Sequence, residues 1–367
     1  MRKRLRGLIK KHIFAIRDHG VVDHLSQITM PNRPRRTSLK DLADKLGVSI
    51  ATISRALRNS HEVGEDMTRK VQALAKEMNY RPNPFAQSLR KDSPKVIGVI
   101  VPNLVTHYYA SVLDGIEDYA MRQGYSVISA NSRESCEREV KAVSNFLDMH
   151  VEGIIACLSQ ETTDYSHFEE LYDMGMPVVF FARCCMEDKF SQVVANGDVA
   201  AQEATQHMID TGSRRIAFIG GPNHLDMVKR RKHGYLQALR ENNIPIDKDL
   251  VICDRIDFQV GRRATIKLLR EKKPDAILAF NDILTYAAFD AIKSLGLSIP
   301  KDVAIIGFTD NSSVNFVTPK LSAIEDQSYV QGMKACELLL RSINGDPKHY
   351  KEVVPMILRI RDSSDKR

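Results

Sequence analysis

Seven short apolar runs, separated by stretches with helical spacing, constrain the fold of the chain from residue 95 onward. The runs are rich in Val and Ile and do not alternate with polar residues, a pattern typical of parallel strands buried on both faces. Repeated strand–helix units predict a doubly wound α/β architecture. The pattern is too long for one sheet and restarts near Asn196, so we expect two similar lobes. The runs cover residues 96–101, 125–130, 153–158, 177–181, 216–220, 276–280 and 303–308.

Residues 37–57, TSLKDLADKLGVSIATISRAL, predict two short helices joined by a tight turn. Gly47 supplies the left-handed residue that ends a helix, and Ser49 stands where an N-cap belongs. A helix-turn-helix presents the N-terminal half of its second helix to base edges in the major groove. On these residues alone, an ordinary helical hairpin remains the alternative. The first helix has one apolar face, formed at the i, i+3, i+4, i+7 spacing by Leu39, Leu42, Ala43 and Leu46.

A third helix is expected over residues 65–79, which would complete a small all-α domain. Pro82 and Pro84 end that helix, because the residue before a proline is restricted to extended conformations. Residues 85–90 could form one further short helix, too short to be stable in isolation.

The net charge of the chain is +7, and its basic excess is concentrated in the first thirty-six residues. Lys and Arg contacts to phosphates release counterions, so this excess fits a polyanionic partner. Solvated tails are often basic too, and residues 1–36 are expected to be a disordered extension or an artefact of gene-start assignment, with Met30 as the start. A basic arm that reaches DNA is the alternative.

Other classes of protein find little support in the sequence. The six cysteines show neither CxxC pairs nor Cys/His ligand spacing, so we expect reduced thiols of a cytoplasmic protein and no metal. Phosphate-loop, nucleophile-elbow and dinucleotide-binding motifs are missing from the positions where an enzyme would need them, and no cofactor is expected. No run is long enough to span a membrane, and the apolar residues 8–16 are interrupted by charge, unlike a signal peptide. A secreted small-molecule-binding protein would carry such a signal and no helix-turn-helix.

Three segments, KDLADKLGVSIATISRAL, NYRPNPFAQSLR and KVIGVIVPN, together resemble the lactose-repressor (LacI/GalR) family of bacterial transcriptional regulators, and the similarity extends to about residue 360. The resemblance implies a helix-turn-helix domain at 37–80, a hinge helix and linker at 81–94, and an effector-binding and dimerisation domain at 95–361. It also implies two periplasmic-binding-protein-like lobes between which the chain crosses three times. Lobe one would hold about 95–194 and 323–344, and lobe two about 195–322 and 345–361.

The resemblance assigns DNA contacts to the second helix. Ile50 and Ala51 occupy the positions at which relatives select base sequence, and neither can form a bidentate hydrogen bond. Apolar contact with thymine methyl groups is therefore expected. Arg55 matches the next base-reading position, with guanine O6 and N7 as its target. The positions expected to contact phosphates are Ser49, Thr52 and Ser54.

The resemblance also assigns Leu89 to a wedge that enters the minor groove at the centre of the operator, flanked by Ala86 and Arg90. Such a wedge unstacks a base step at a cost of a few kcal/mol, which the contacts allowed by the kink offset. Ordinary packing of a linker helix is the alternative for Leu89.

The expected effector site is the cleft between the lobes, because ligands in open α/β sheets lie outside the carboxyl ends of the strands. Rings at the start of the lobe-one helix could stack on a sugar or base, Arg231 would clamp ligand oxygens, and Asp282 would accept hydrogen bonds from hydroxyls. Relatives commonly carry acids where this chain has Ala195 and Thr309. The residues assigned by resemblance are His107, Tyr108, Tyr109, Asn196, Arg231, Phe258 and Asp282.

Five of these residues have a structural alternative. Tyr108 or Tyr109 could belong to the core, Arg231 and Asp282 could be salt-bridge partners, and Asn196 could cap the following helix. The loop before Phe258 looks shortened relative to the family.

The family resemblance implies a repressor that binds a pseudo-palindromic operator as a homodimer. The C-terminal sequence LRIRDSSDKR lacks the leucine heptads of a tetramerising tail, which favours a dimer. The expected effector is a sugar or sugar phosphate, ahead of a nucleobase. Whether it acts as inducer or co-repressor stays open.

Overall fold

The structure is a computed structural model that describes residues 37–80 and 95–366. Residues 1–36 and 81–94, and with them the predicted DNA contacts Ala86, Leu89 and Arg90, lie outside the described residues. The described part falls into two units, residues 37–80 and residues 95–366.

The first unit contains the predicted helix-turn-helix. Its described helices are α1 (Leu39–Leu46), α2 (Ile50–Ala56) and α3 (Glu65–Glu77). Ser38 opens α1 with a capping box, in which its backbone N–H donates to Asp41 Oδ2 at 2.7 Å. Gly47 ends α1 at φ 66°, as the sequence predicts. The faces of the three helices meet in a small core centred on Leu42, Ile53, Ala56 and Val71.

The second unit contains strands at all seven predicted runs and five further strands outside them. The strands are β1 (Val96–Val101), β2 (Ser126–Asn131), β3 (Ile154–Ala156), β4 (Val178–Phe181), β5 (Ser191–Ala195), β6 (Ile216–Gly220), β7 (Val251–Cys253), β8 (Ala276–Ala279), β9 (Ala304–Phe308), β10 (Ser322–Glu325), β11 (Lys351–Val354) and β12 (Ile357–Arg359). The helices are α4 (His107–Arg122), α5 (Cys136–Asp148), α6 (Ser166–Asp173), α7 (Gly197–Asp210), α8 (Asp226–Glu241), α9 (Phe258–Glu271), α10 (Asp282–Ser294) and α11 (Ser328–Ile343).

Within residues 95–366 the strands form two six-stranded sheets, with the orders β11-β5-β4-β3-β1-β2 and β12-β10-β9-β8-β6-β7. All neighbours pair in parallel except β10 and β12. The central strands are buried, as their continuous apolar runs require. The predicted fold class, a small helix-turn-helix unit and two doubly wound α/β lobes, is confirmed.

The chain crosses between the lobes three times. The second and third crossings lie later in the chain than the predicted boundaries at residues 323 and 345. Strand β10 pairs with β9 of lobe two, so the second crossing follows Glu325. Strand β11 pairs with β5 of lobe one, so the third crossing follows Val354. Strand β11 was not predicted, because this edge strand, KEVV, carries exposed residues instead of a buried apolar run.

Three glycines bring helices into backbone contact and thereby fix the helices that reach the cleft. A Cβ on Gly115 of α4 would lie 2.1 Å from the Tyr329 carbonyl oxygen of α11. A Cβ on Gly332 would lie 2.0 Å from the Val112 carbonyl oxygen, so the same two helices meet at both positions. Gly234 does the same for α8 against α7 in lobe two. None of the described helices has the length and apolar character needed to cross a membrane.

Candidate DNA-reading helix and inter-lobe cleft

Helix α2 exposes the side chains that the sequence assigns to DNA. Ile50 is 45% exposed and Ala51 is also exposed, whereas Ile53 and Ala56 on the opposite face are buried. A large aliphatic side chain in water at the start of a short, capped helix costs free energy, which contact with an apolar group would recover. The arrangement leaves both residues accessible to base edges.

The polar residues of α2 are organised by local contacts. Ser49 Oγ accepts from the Thr52 amide at 3.1 Å and lies 2.9 Å from the Thr52 hydroxyl, so both side chains hold the start of the helix. Arg55 Nε forms an exposed ion pair with Glu62 at 2.9 Å, a partner that the sequence did not indicate. Among the described residues, no hydrogen bond engages the two terminal nitrogens of Arg55.

The cleft lies between the two lobes, where the carboxyl ends of both sheets meet. His107, Tyr108 and Tyr109 reach it from the start of α4, directly after β1. Arg231 reaches it from α8 and Asp282 from the start of α10. These five predicted residues therefore share one cleft, at the edge of the sheets expected for a ligand.

The two tyrosines contribute unequally. Tyr109 is 7% exposed and packs edge-on against Phe181, with ring centroids 6.4 Å apart, so most of its surface belongs to the core of lobe one. Tyr108 is half-buried and donates its hydroxyl to Gln331 Oε1 at 2.8 Å. Burial raises the pKa of both phenols, which are therefore neutral hydrogen-bonding groups at ordinary pH.

Arg231 is held by internal partners. It is 2% exposed; Nη2 donates to Asp326 Oδ1 at 2.7 Å, and Nη1 donates to the Phe280 carbonyl oxygen. The guanidinium carbon lies 3.8 Å from the ring centroid of Phe308 and 4.9 Å from that of Phe280. The salt-bridge alternative considered for Arg231 is thus realised, while the side chain still lines the cleft. Its Nε is buried without a partner among the described residues.

A second buried guanidinium, unforeseen from the sequence, lines the cleft from lobe one. Arg183 follows β4, is 6% exposed, and binds both carboxylate oxygens of Glu134 at 2.6 and 3.0 Å. Its Nη1 also donates to the Leu158 carbonyl oxygen at 3.1 Å, and its Nε is buried without a described partner. Glu134 has φ 61°, in the left-handed region that is costly for a residue with a Cβ. The sequence signal for this pair was only its position, after the carboxyl ends of β2 and β4.

Three aspartates line the cleft around the second crossing. Asp282 accepts from the Ile283 amide at 2.8 Å, and burial raises its pKa while His107 lowers it. Asp310 accepts from the Ser328 amide at 2.9 Å and hydroxyl at 2.6 Å, and also from the Asp326 amide. Burial raises the pKa of Asp326 to about 7, against the opposing effect of Arg231. Asp310 and Asp326, neither of them predicted, therefore fix the start of α11 to lobe two.

Two predicted residues are not part of the cleft lining. Asn196 Oδ1 accepts from the Met356 amide at 2.7 Å, which joins the first and third crossings, and the side chain does not cap α7. Phe258 begins α9 with 37% of its surface exposed, and Ile256 from the same loop lines the cleft.

The lobes also touch through one polar contact between loops that follow β3 and β6. His224 Nε2 lies 2.6 Å from the Gln160 carbonyl oxygen. The Gln160 loop is anchored by Glu139, which is fully buried and accepts from the Ser159 amide at 2.6 Å and lies 3.1 Å from His167 Nε2. Across the described ranges, no group of three or more His, Cys, Asp or Glu side chains could hold a metal ion. All six cysteines carry free thiols.

Comparison with known proteins agrees with both units. The family model for bacterial regulatory proteins of the lacI family matches residues 38–83, and the model for periplasmic binding protein-like domains matches residues 205–364. The HTH-type transcriptional repressor PurR of Actinobacillus pleuropneumoniae serotype 3 (strain JL03) is 30% identical over 319 residues, 86% of this chain and 93% of its own length.

Two solved structures are similar over most of both chains. The lac repressor dimer bound to operator and the anti-inducer ONPF has a TM-score of 0.78 and 25% identity, and covers 90% of this chain and 99% of its own. The complex of the transcriptional regulator CelR with cellobiose has a TM-score of 0.69 and 26% identity, and covers 89% of this chain and 100% of its own.

Proposed function

The chain belongs to the LacI family of bacterial regulatory proteins, and from that premise we propose that it represses transcription as a homodimer on a pseudo-palindromic operator, under the control of a small molecule bound in the inter-lobe cleft. The observation that carries the proposal is the exposed start of α2, held rigidly by the core of a helix-turn-helix. Ile50 projects there into solvent while the face behind it is closed.

Base reading is proposed for Ile50, Ala51 and Arg55. The first two offer only apolar surface and would contact thymine methyl groups. The terminal nitrogens of Arg55 are available for guanine O6 and N7, while the ion pair with Glu62 keeps the side chain oriented. Ser49, Thr52 and Ser54 would contact phosphates and set the register of the helix on the duplex. Leu89, flanked by Ala86 and Arg90, is proposed as the minor-groove wedge on the sequence alone.

The proposed dimer would place two copies of α2 on two half-sites, and a two-fold protein then selects a pseudo-palindrome. Support comes from the similar lac repressor, which binds its operator as a dimer.

A sugar or sugar derivative is proposed as the effector, contacted by His107, Tyr108, Tyr109, Arg231 and Asp282. The half-buried ring of Tyr108 offers an apolar face, and Asp282 offers an acceptor for hydroxyls. The cellobiose complex of a similar regulator supports this class. Ligand control of DNA binding requires that the ligand prefer one arrangement of the lobes, since equal affinity for both would shift nothing.

The test is selection of bound sequences from a random duplex library with the full-length protein near physiological salt, where nonspecific phosphate contacts are weakened. We expect enrichment of a pseudo-palindrome with a fixed centre. Ile50→Gln should leave the fold unchanged, because position 50 is exposed, but it adds a bidentate donor and acceptor. The sequence enriched by this variant should therefore change at one base pair per half-site. Absence of any enriched sequence, with and without a metabolite extract, would refute sequence-specific DNA binding.

Leu89→Ala provides a second arm of the same test. The wedge proposal expects weaker binding to the selected operator and unchanged ligand binding in the cleft. Equal operator affinity of the variant and the unmodified protein would remove Leu89 from the proposal.

A further inference from the structure

Both guanidinium groups that line the cleft are already neutralised by carboxylates of the protein. Arg183 comes from lobe one and Arg231 from lobe two, and each is more than nine-tenths buried. Their partners, Glu134 and Asp326, also line the cleft. At pH 8, above the pKa of Asp326, a ligand entering this space therefore meets two ion pairs, and neither arginine is a free cation.

The geometry of the two ion pairs leaves little uncompensated positive charge for a ligand to bind. Glu134 binds Arg183 in the two-pronged arrangement that is the strongest for these groups, at 2.6 and 3.0 Å. Asp326 binds Arg231 at 2.7 Å, with side-chain exposures of 3% for the arginine and 10% for the aspartate. Buried pairs of this kind are screened only weakly by solvent and salt. An anionic ligand would have to displace a carboxylate that is already in place.

The remaining charges of the lining add to this effect. Asp282 and Asp310 bring further carboxylates to the same cleft, so the acids of the lining outnumber its arginines. Asp310 already accepts three hydrogen bonds from the second crossing, and Asp282 accepts one from its own helix. Acceptor capacity on Asp282 and the polar side chain of His107, which also lines the cleft, remain for a ligand. These groups suit uncharged hydroxyls.

We propose that Glu134 and Asp326 act as internal counter-ions that exclude anions from the cleft and so restrict the effector to uncharged, hydroxyl-bearing molecules, a free sugar and not a sugar phosphate. This specificity rests on the proposed effector role of the cleft. Glu134 and Asp326 are specificity-determining residues, because each neutralises the positive charge of an arginine that a ligand would contact.

The experiment uses sulfate as a probe, since it stays divalent over the whole working range of pH. Asp326→Asn and Glu134→Gln each remove one counter-ion with little change of shape. The matched control is Asp290→Asn, which removes the same charge from an exposed ion pair with Arg262 on the surface of lobe two. Full-length proteins are titrated with sodium sulfate at constant ionic strength and pH 8. The melting temperature is measured at each sulfate concentration, and a rise that saturates indicates binding at a site. Sulfate also stabilises every variant because it is excluded from the protein surface, and this general rise in melting temperature does not saturate as binding to a site does.

Saturable sulfate binding is expected in the Asp326→Asn and Glu134→Gln proteins, tighter than in the unmodified protein by about tenfold or more, as for a new charge-assisted hydrogen bond. The Asp290→Asn protein should behave like the unmodified one. Adding Arg231→Gln to Asp326→Asn should abolish the gain. The proposal is overturned if the unmodified protein binds sulfate as tightly as the variants, or if neither counter-ion variant gains a saturable site.

Glu134→Gln keeps the test decisive if Asp326→Asn does not fold, because Glu134 is partly exposed and lies away from the crossings. Neither DNA nor an identified effector is needed for the measurement. Failure here would leave the operator-binding proposal standing, and failure of operator selection would leave the sulfate result standing.

Discussion

Replacing Arg231 by Met should destabilise the effector-binding unit, and more strongly at pH 8 than at pH 6. The substitution keeps an unbranched apolar stem but removes the cation from a pair whose two side chains are at most one-tenth exposed. Leaving one partner of a buried pair uncompensated costs about 3–5 kcal/mol. For a unit of this size that corresponds to a fall in melting temperature on the order of 10 °C.

The pH dependence follows from the partner left behind. Burial raises the pKa of Asp326 and Arg231 lowers it, so losing the arginine raises that pKa further. At pH 6 the orphaned carboxyl can take up a proton and be buried as a neutral group. At pH 8 the carboxyl must either stay charged or bind a proton against a higher pH, and both cost more.

The assay is thermal unfolding followed by circular dichroism at both pH values, since the chain has no tryptophan to report by fluorescence. The control is Arg230→Met on the same helix, where the ion pair with Asp226 is exposed and should be worth at most about 1 kcal/mol. The double variant Arg231→Met with Asp326→Asn removes both charges and should recover a large part of the loss. The reasoning is refuted if Arg231→Met costs no more than Arg230→Met, or if the double variant loses the sum of the two single losses.

Three further expectations can be measured with the same proteins and methods. Burial raises the pKa of Asp326 to about 7 from its ordinary 3.8, so the folded state holds this proton more tightly and stability should fall as pH rises from about 4 to about 7. Melting temperatures measured across this pH range should fall less steeply in Asp326→Asn, and an unchanged slope of melting temperature against pH would contradict the assignment. Gly234→Ala would put its Cβ 1.9 Å from a backbone oxygen and should lower the melting temperature of the second unit, whereas Gly64→Ala, with nothing within 4 Å, should be tolerated in the first. Arg55→Ala should weaken binding to the selected operator by about 1–3 kcal/mol and reduce the base preference at one position, while Glu62→Gln keeps the arginine and its base preference. Equal effects of the two substitutions in a binding assay would argue for a structural role of the ion pair.

The sequence predicted well those features that depend on local pattern. The helix-turn-helix followed from the spacing of Leu39, Leu42 and Leu46 and from Gly47 and Ser49, because caps and amphipathic faces are set by neighbours in the chain. The buried strands followed from their continuous apolar runs. The structure also brings His107, Tyr108, Tyr109, Arg231 and Asp282 to one cleft, since each stands just beyond a strand or on the helix after it.

What the sequence missed depends on pairing between distant residues. Glu134 meets Arg183 across 49 positions, and Arg231 meets Asp326 across 95. No local pattern predicts which carboxylate will reach which guanidinium. Edge strand β11 was missed for a related reason, because its place is set by pairing with β5 and not by its own hydrophobicity. Asn196 was recognised as a residue of interest, but its partner is the Met356 amide at the third crossing, which only the assembled lobes reveal.

Asp326 makes the chemistry of the cleft inseparable from the second crossing. Its carboxylate binds Arg231, and its amide donates to Asp310. Its carbonyl oxygen accepts from Gln331 Nε2 at 2.5 Å, and the other end of the same Gln331 side chain accepts the hydroxyl of Tyr108. A ligand oxygen that draws Arg231 or Tyr108 toward itself must therefore change a bond to the residue at which the chain passes from lobe two to α11. Since packed interiors and paired polar groups adjust by switching partners and not by stretching, occupancy of the cleft and the arrangement of the crossing are expected to change together.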